Sequence, residues 1–341
     1  MISAATSLDR APAAAPSEAF GGRRVGPHLQ SGAGLLKVAE RAAEIGATAI
    51  QIFADNPTAW RRRSEPPDKV DAFRARLAEA GIRPLAVHGP YLLNLAGGDE
   101  GFWTRSVETL VQDLGMASLY GAELVTIHIG SHRGIGRDKG IRRLARGARE
   151  GLDRAGAGAP RLLLENAAGG GDTVGVTIEE LAAILEALTQ AGIARERIGF
   201  CLDTAHLWGA GYEITRPEVV DELLGRFDEL LGLDLLGLIH LNDSRALLGS
   251  RADRHEHLGA GQIGVEGIRG VLCHPLLRGV PMLFETPGMD EGYDAVNLDR
   301  VRRMIAGEAL PELPPEAFAL RRSRSRTGAA AGRRGPSPEG T

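Results

Sequence analysis

The chain has 341 residues, 43% apolar and 25% charged, with a formal net charge of −4, which allows a sizeable core under an ordinary charged surface. No run of about 18 apolar residues occurs, which excludes a transmembrane helix. Cys201 and Cys273 are the only cysteines, which excludes a disulfide scaffold and suits a reducing cytoplasm.

The charge is unevenly spread. Arg321, Arg322, Arg324, Arg326, Arg333 and Arg334 face only Glu339 at the C-terminal end, so the rest of the chain is more acidic than the total suggests. A uniformly basic binding surface is excluded. A local cationic site, or one made cationic by metal ions, is not.

In chain order, residues 1–22 mix Ala, Pro and Ser without an apolar face and read as a disordered tail. They have neither the basic start nor the apolar stretch of a secretory signal. From residue 23 a single rhythm sets in. Short apolar runs at 23–28, 47–53, 83–88, 123–128, 161–165, 197–203, 236–242 and 280–285 read as strands buried on both faces. Between them, segments at 33–46, 68–81, 102–120, 140–155, 177–192, 217–232, 264–272 and 294–306 carry helical spacing. The first, second and fifth of these end in Gly46, Gly81 and Gly192, plausible helix stops. Residues 311–341 are rich in Pro, Gly and Arg and read as a second disordered tail. One domain at 23–310 with eight βα units predicts a closed (β/α)8 TIM barrel; an open doubly wound sheet is the alternative.

The strand ends carry the chemistry. They are His28, Phe53, His88, His128, Glu165, Asp203, His240 and Glu285. His206 follows Asp203 by three residues, and Asp253 and His255 lie in the loop after the seventh strand. In a closed parallel barrel the C-terminal strand ends converge on one face, so His88, His128, Glu165, Asp203, His206, His240, Asp253, His255 and Glu285 share a pocket. Burying so many ionisable groups without metal would be costly. Imidazole and carboxylate without thiolate favour Zn2+, Mn2+ or Fe2+, and nine donors suit two or three ions. Such a centre would attract a phosphate.

The stretches HGPYLLNLA (88–96), HIGSH (128–132), LLLENAAGGGDTVG (162–175), CLDTAHLWGAGYE (201–213), HLNDSRALLGSRADRHEHLGAGQIG (240–264) and LFETPG (283–288) closely resemble the endonuclease IV family (AP endonuclease family 2, deoxyribonuclease IV). The resemblance covers about residues 25–306. It implies a base-excision-repair endonuclease that cleaves DNA 5′ to abasic sites and leaves a 3′-hydroxyl and a 5′-deoxyribose phosphate. It also implies three zinc ions, with Mn2+ or Fe2+ as substitutes. His88, His128 and Glu165 would hold one ion. Glu165 would bridge to a second, completed by Asp203, His240 and Glu285, and His206, Asp253 and His255 would hold the third. Glu165, Asp203 and Glu285 are thus the expected catalytic carboxylates. Tyr91 and Leu92 are expected to enter the duplex, and Asn242, Arg251 and Arg254 to contact phosphates. The expected partner is double-stranded DNA with abasic or blocked 3′ ends. The protein is expected to be a cytoplasmic monomer, nucleoid-associated in a bacterium.

Thr58 stands where relatives often carry an Arg, and Ile129 and Ala205 replace Pro and Cys of some members. Asn56 is expected to shape its loop and Trp60 to pack. His28 is expected beside the metal ligands, and His132, His257 and His274 at the surface or at caps. Two rivals are weighed. A xylose-isomerase-like sugar isomerase or epimerase needs a set comparable to Glu165, Asp203, His240 and Glu285 alone. An inert DNA-binding barrel would be expected to lack a bridging ligand.

Overall fold

The computed structural model describes residues 18–63, 65 and 67–320. The expected tails at 1–17 and 321–341 lie outside the described residues. The first seven parallel strands are β1 (Val25–Pro27), β2 (Ile50–Phe53), β3 (Leu85–His88), β4 (Leu124–His128), β5 (Arg161–Glu165), β6 (Ile198–Asp203) and β7 (Leu236–His240). A small antiparallel pair, β8 (Asp243–Ser244) and β9 (His255–Glu256), follows, and β10 (Met282–Phe284) is the eighth strand of the main sheet. That sheet runs β1-β10-β7-β6-β5-β4-β3-β2. A parallel bridge between His28 and Gln51 joins its two edges, so the sheet closes into the TIM barrel and the open-sheet alternative falls away.

The helices Leu35–Ile45, Val70–Glu79, Glu100–Tyr120, Arg137–Ala155, Ile178–Gln190, Pro217–Leu230, Gly264–Cys273 and Tyr293–Ala306 surround it, at the places the spacing predicts. Two of their starts are chemically marked. Asp99 accepts from Phe102 N, and Thr177 accepts from Glu180 N, satisfying amides that a helix leaves open. Elements not foreseen are the short helix Thr204–Ala210 and the pair of β8 with β9.

Strand periodicity positions the site. Side chains at i and i+2 point to the same face of a strand. Ala49, Ala86, Leu124, Leu163, Cys201, Leu238 and Leu283 form a buried cluster separate from the outer core, which is the apolar floor inside the barrel. Two residues further along each strand stand Gln51, His88, Thr126, Glu165, Asp203, His240 and Glu285. The inner wall therefore changes from apolar to mostly ionisable within one strand repeat, at the C-terminal mouth.

The barrel reaches beyond the boundaries read from composition. Phe20 is fully buried, with the Arg302 guanidinium 5.1 Å over its ring. At the other end, residues 315–320 are helical and Ala317 is fully buried. Residues 18–22 and 311–320 thus touch the barrel at single buried anchors, Phe20 and Ala317, while most of their other side chains are exposed.

Closure between β1 and β2 depends on Gly26. A Cβ there would lie 1.7 Å from Ala49 O and 2.9 Å from Ala49 C, backbone atoms with little room to yield. Gly26→Ala is expected to destabilise the fold by more than ~2 kcal/mol in urea unfolding; an unchanged midpoint would show that the seam tolerates a side chain.

Candidate metal centre

Among the described residues, four overlapping groups of donor atoms meet at the mouth, one of them (His88, His240 and Glu285) shared between the first two described here. His88, His128 and Glu165 form the first, with His88 Nε2 at 3.1 Å and His128 Nε2 at 3.6 Å from Glu165 Oε2. The pairing of β4 with β5 sets His128 directly beside Glu165. Glu165, Asp203, His240 and Glu285 form the second: His240 Nδ1 is 3.0 Å from Glu165 Oε1, 3.7 Å from Glu285 Oε2 and 3.9 Å from Asp203 Oδ2. Asp203, His206 and His255 form the third. Asp253 joins it, 3.3 Å from His206 Nε2 and 3.0 Å from His255 Nε2. The nine residues singled out in the sequence lie at this mouth, but the third group differs from the expected one: Asp203 stands in it, and Asp253 adjoins it through His206 and His255.

Four of the five donor rings, those of His88, His206, His240 and His255, are aimed by their other nitrogen. His88 Nδ1 bonds Gly89 O at 2.6 Å, His206 Nδ1 bonds Asn166 O at 2.8 Å and His255 Nδ1 bonds Glu285 O at 3.1 Å. An acceptor oxygen fixes the proton on Nδ1 and leaves Nε2 facing the carboxylates, the usual arrangement behind a metal-bound imidazole. His240 is the mirror case: Nε2 donates to Gln51 Oε1 at 3.0 Å and Nδ1 faces the cluster. The Gln51 amide then donates to Glu285 Oε1 at 2.7 Å, tying two donors together. His28, as expected, lies beside a donor, with Nδ1 3.3 Å from Glu285 Oε1.

Asp203 is a junction. It ends β6 and accepts from His206 N at 2.9 Å, capping the helix Thr204–Ala210 and setting the direction of His206. Its other oxygen accepts from Asn242 Nδ2 at 2.7 Å, and Asn242 Oδ1 accepts from Glu285 N at 2.7 Å. Asn242 is fully buried. The expected phosphate contact by Asn242 finds no support in this geometry: its amide is engaged by Asp203 and Glu285 and is fully buried.

The other DNA-facing candidates lie at the surface. Tyr91 is 60% exposed, its ring 5.5 Å from Phe53 and 6.2 Å from His128. Leu92 is half-buried beside it, and Arg251 and Arg254 are exposed in the loop that carries Asp253. Asn56 shapes its loop as expected, its Oδ1 accepting from Thr58 N and Thr58 Oγ1 at 3.0 and 2.8 Å. Trp60 packs edge-on against Phe102. His274 caps a turn through Leu276 N. His257 is not at the surface: it is fully buried.

Gln51, Asn166 and Asp243 were not anticipated. Gln51 carries the signal of a polar residue inside the apolar run IQIF, and Asn166 that of an amide directly after a strand-end donor. Asp243 organises the glycine-rich stretch after β9. Its carboxylate accepts from the amides of Gly261, Ile263 and Gly264, so these glycines fold around a side chain rather than a phosphate.

The electrostatics suit a cation. Burial pushes the Glu165 carboxyl up, but His240 and His128 outweigh it and hold it well below the usual carboxylate range. Burial opposes protonation of His206 and His255, yet Asp203 and Asp253 overcome it, raising His206 and lifting His255 to about 9. His255 Nε2 is buried and makes no hydrogen bond among the described residues, although Asp253 Oδ1 and Asp203 Oδ2 lie 3.0 and 3.5 Å away. The Cys201 thiol beneath is pushed up to about 12 by burial and offers no thiolate. Imidazole and carboxylate donors with an orphaned ring nitrogen fit borderline divalent ions. Without metal near neutral pH, His206 and His255 hold protons that an entering ion must displace. Zinc titration of metal-free protein should therefore release protons, and apparent affinity should weaken from about pH 8 to about pH 6. Calorimetry in buffers of different ionisation enthalpy reads both, and a pH-independent affinity without proton release would contradict the assignment.

Comparison with known proteins agrees with this geometry. Residues 39–306 match the family model described as xylose isomerase-like TIM barrel. A probable endonuclease 4 of Methanoculleus marisnigri is 38% identical over 280 residues, 82% of this chain and 98% of that protein. The crystal structure of endonuclease IV from Thermus thermophilus is 38% identical with a TM-score of 0.72, over 83% of this chain and 99% of that one. A 3-keto-D-glucoside 4-epimerase from E. coli, 12% identical with a TM-score of 0.56 over 82% of this chain and 99% of that one, shares the barrel alone. With the same barrel, a similarity spanning nearly the whole of its relatives and all nine donors at one mouth, this chain belongs to the endonuclease IV family of xylose isomerase-like TIM barrels.

Proposed function

We propose that the protein is a zinc-dependent endonuclease that cleaves the DNA phosphodiester 5′ to an abasic site, leaving a 3′-hydroxyl and a 5′-deoxyribose phosphate. The observation that carries this is the third donor group. His206, Asp253 and His255 stand beside the two groups built on Glu165, and a sugar isomerase or epimerase has no use for them. The relatives' names point the same way, since those 38% identical are endonucleases.

His88, His128 and Glu165 would hold one ion, Glu165, Asp203, His240 and Glu285 a second, and His206, Asp253 and His255 a third, with Mn2+ or Fe2+ as substitutes. When bound, such ions supply positive charge that draws in the scissile phosphate, activates water and offsets charge on the departing oxygen. The chain's own groups do the positioning. Gln51 fixes His240 and Glu285 relative to each other, and Asn242 fixes Asp203 relative to Glu285. Tyr91 and Leu92, on the rim next to His128, would wedge into a duplex kinked at the damaged nucleotide. Arg251 and Arg254 would contact phosphates, a sequence-independent grip suited to damage recognition. The substrate is double-stranded DNA with abasic or blocked 3′ ends, and the protein acts as a monomer.

A duplex carrying one tetrahydrofuran abasic analogue tests this. Cleavage should occur 5′ to the analogue and stop with a chelator. Glu165→Gln should lower the rate by about 10²-fold or more while the duplex is still bound. Unchanged cleavage by that variant, or cleavage indifferent to chelator, would contradict the proposal.

A further inference from the structure

The family match ends at residue 306, yet the chain continues to residue 320 in contact with the barrel, with Ala317 fully buried. That segment runs between two ligand-bearing loops. On one side, His257, two residues after His255, donates from Nε2 to Ala317 O at 3.1 Å, and its ring lies 6.1 Å from Phe318. His257 Nδ1 accepts from Asn297 Nδ2 at 3.0 Å, which fixes the tautomer that donates to Ala317. On the other side, Leu320 lies so close to Gly288, three residues after Glu285, that a Cβ there would meet its Cδ1 at 2.6 Å. The two loops are themselves joined by the bond from His255 Nδ1 to Glu285 O.

One helix anchors both partners. Asn297 Oδ1 accepts from Leu258 N at 2.9 Å. Arg300, one turn on, donates to Leu258 O through Nε at 2.5 Å and to Pro311 O through Nη1 at 2.8 Å. Leu310 closes against Gly259. The residues after His255 are thus clamped between the last barrel helix and the C-terminal segment.

We infer that residues 311–320, which lie beyond the family match, are a brace that holds His255 in place for the third donor group through the His257–Ala317 contact, and steadies the neighbouring loop after Glu285 through the Gly288–Leu320 contact. The inference rests on the metal reading given above. His257 and Ala317 are positioning residues: they touch no donor atom and act through the loops. The brace has a direct consequence for the ions. Loosening it should release the third ion first and leave the group of His88, His128 and Glu165 filled, because β3, β4 and β5 carry that group independently.

Ala317→Glu would force a charge into a buried position and lift the segment. Zinc analysis of the wild type after exposure to a weak chelator should give about three equivalents and of Ala317→Glu about two, with the labile ion leaving ~10- to 100-fold faster in competition with a chelating dye. His257→Gln keeps a donor for Ala317 O and should retain the third ion better than His257→Leu. Equal stoichiometry and release in all variants would overturn the brace, as would loss of all ions together. A wild type that binds no zinc would overturn the metal reading itself, and the brace with it. Hydrogen exchange on the wild type needs no variant to fold: coupling is reciprocal, so zinc loading should slow exchange at 311–320 as well as at 253–257. Slowing at 253–257 without any at 311–320 would overturn the brace alone.

Discussion

Like charges gathered inside a barrel mouth need an opposite charge beside them. Glu165, Asp203 and Glu285 are placed where each faces His240 within 3.9 Å, and Glu165 and Asp203 are almost completely withdrawn from solvent. Burying several carboxylates this closely is unfavourable by several kcal/mol per ion unless cations answer them. In the metal-free chain, protonated imidazoles give that answer, which is why His206 and His255 hold protons beyond the usual range. Divalent ions would give it with more charge in less space. The pocket's appetite for protons and its appetite for metal are the same property.

The surrounding polar residues make sense as consequences of that constraint. Nine donor side chains could share metal ions only if each ring and carboxylate points one way. Carbonyls of Gly89, Asn166 and Glu285 each take one imidazole proton, and the amides of Gln51 and Asn242 stitch neighbouring strands together. Asp203 shows how tightly local structure and site are coupled. One carboxylate terminates a strand, caps the following helix, aims His206 and faces both His240 and His255. A substitution there would disturb two donor groups at once.

Much of this was legible in the sequence. Eight apolar runs, six ending in a donor, follow from strand periodicity: a residue two places beyond an inward Leu163, Cys201, Leu238 or Leu283 must also point inward. Convergence of strand ends then turns linear order into a common pocket. What the sequence hid was contact across the barrel. Gln51 reads as an irregularity in a strand until it is seen between His240 and Glu285. Asn242 reads as a phosphate contact at the end of the seventh run; the chain instead turns back, with Asn242 N donating to Thr204 Oγ1, and buries the amide. The helix Thr204–Ala210 is too short to leave a periodic signature. The Pro-rich composition of 311–320 suggests a solvated tail, and most of the stretch is exposed; the contacts of Ala317 with His257 and of Leu320 beside Gly288 are what only the partner surface reveals.

The central claim is that these nine donors form one multinuclear metal centre. Anomalous diffraction from zinc-loaded crystals, collected on both sides of the zinc absorption edge, reads that most directly. Three peaks inside the mouth are expected: one by His88 and His128, one by His240 and Glu285, and one by His206 and His255. A single peak, or peaks confined to surface carboxylates, would contradict it.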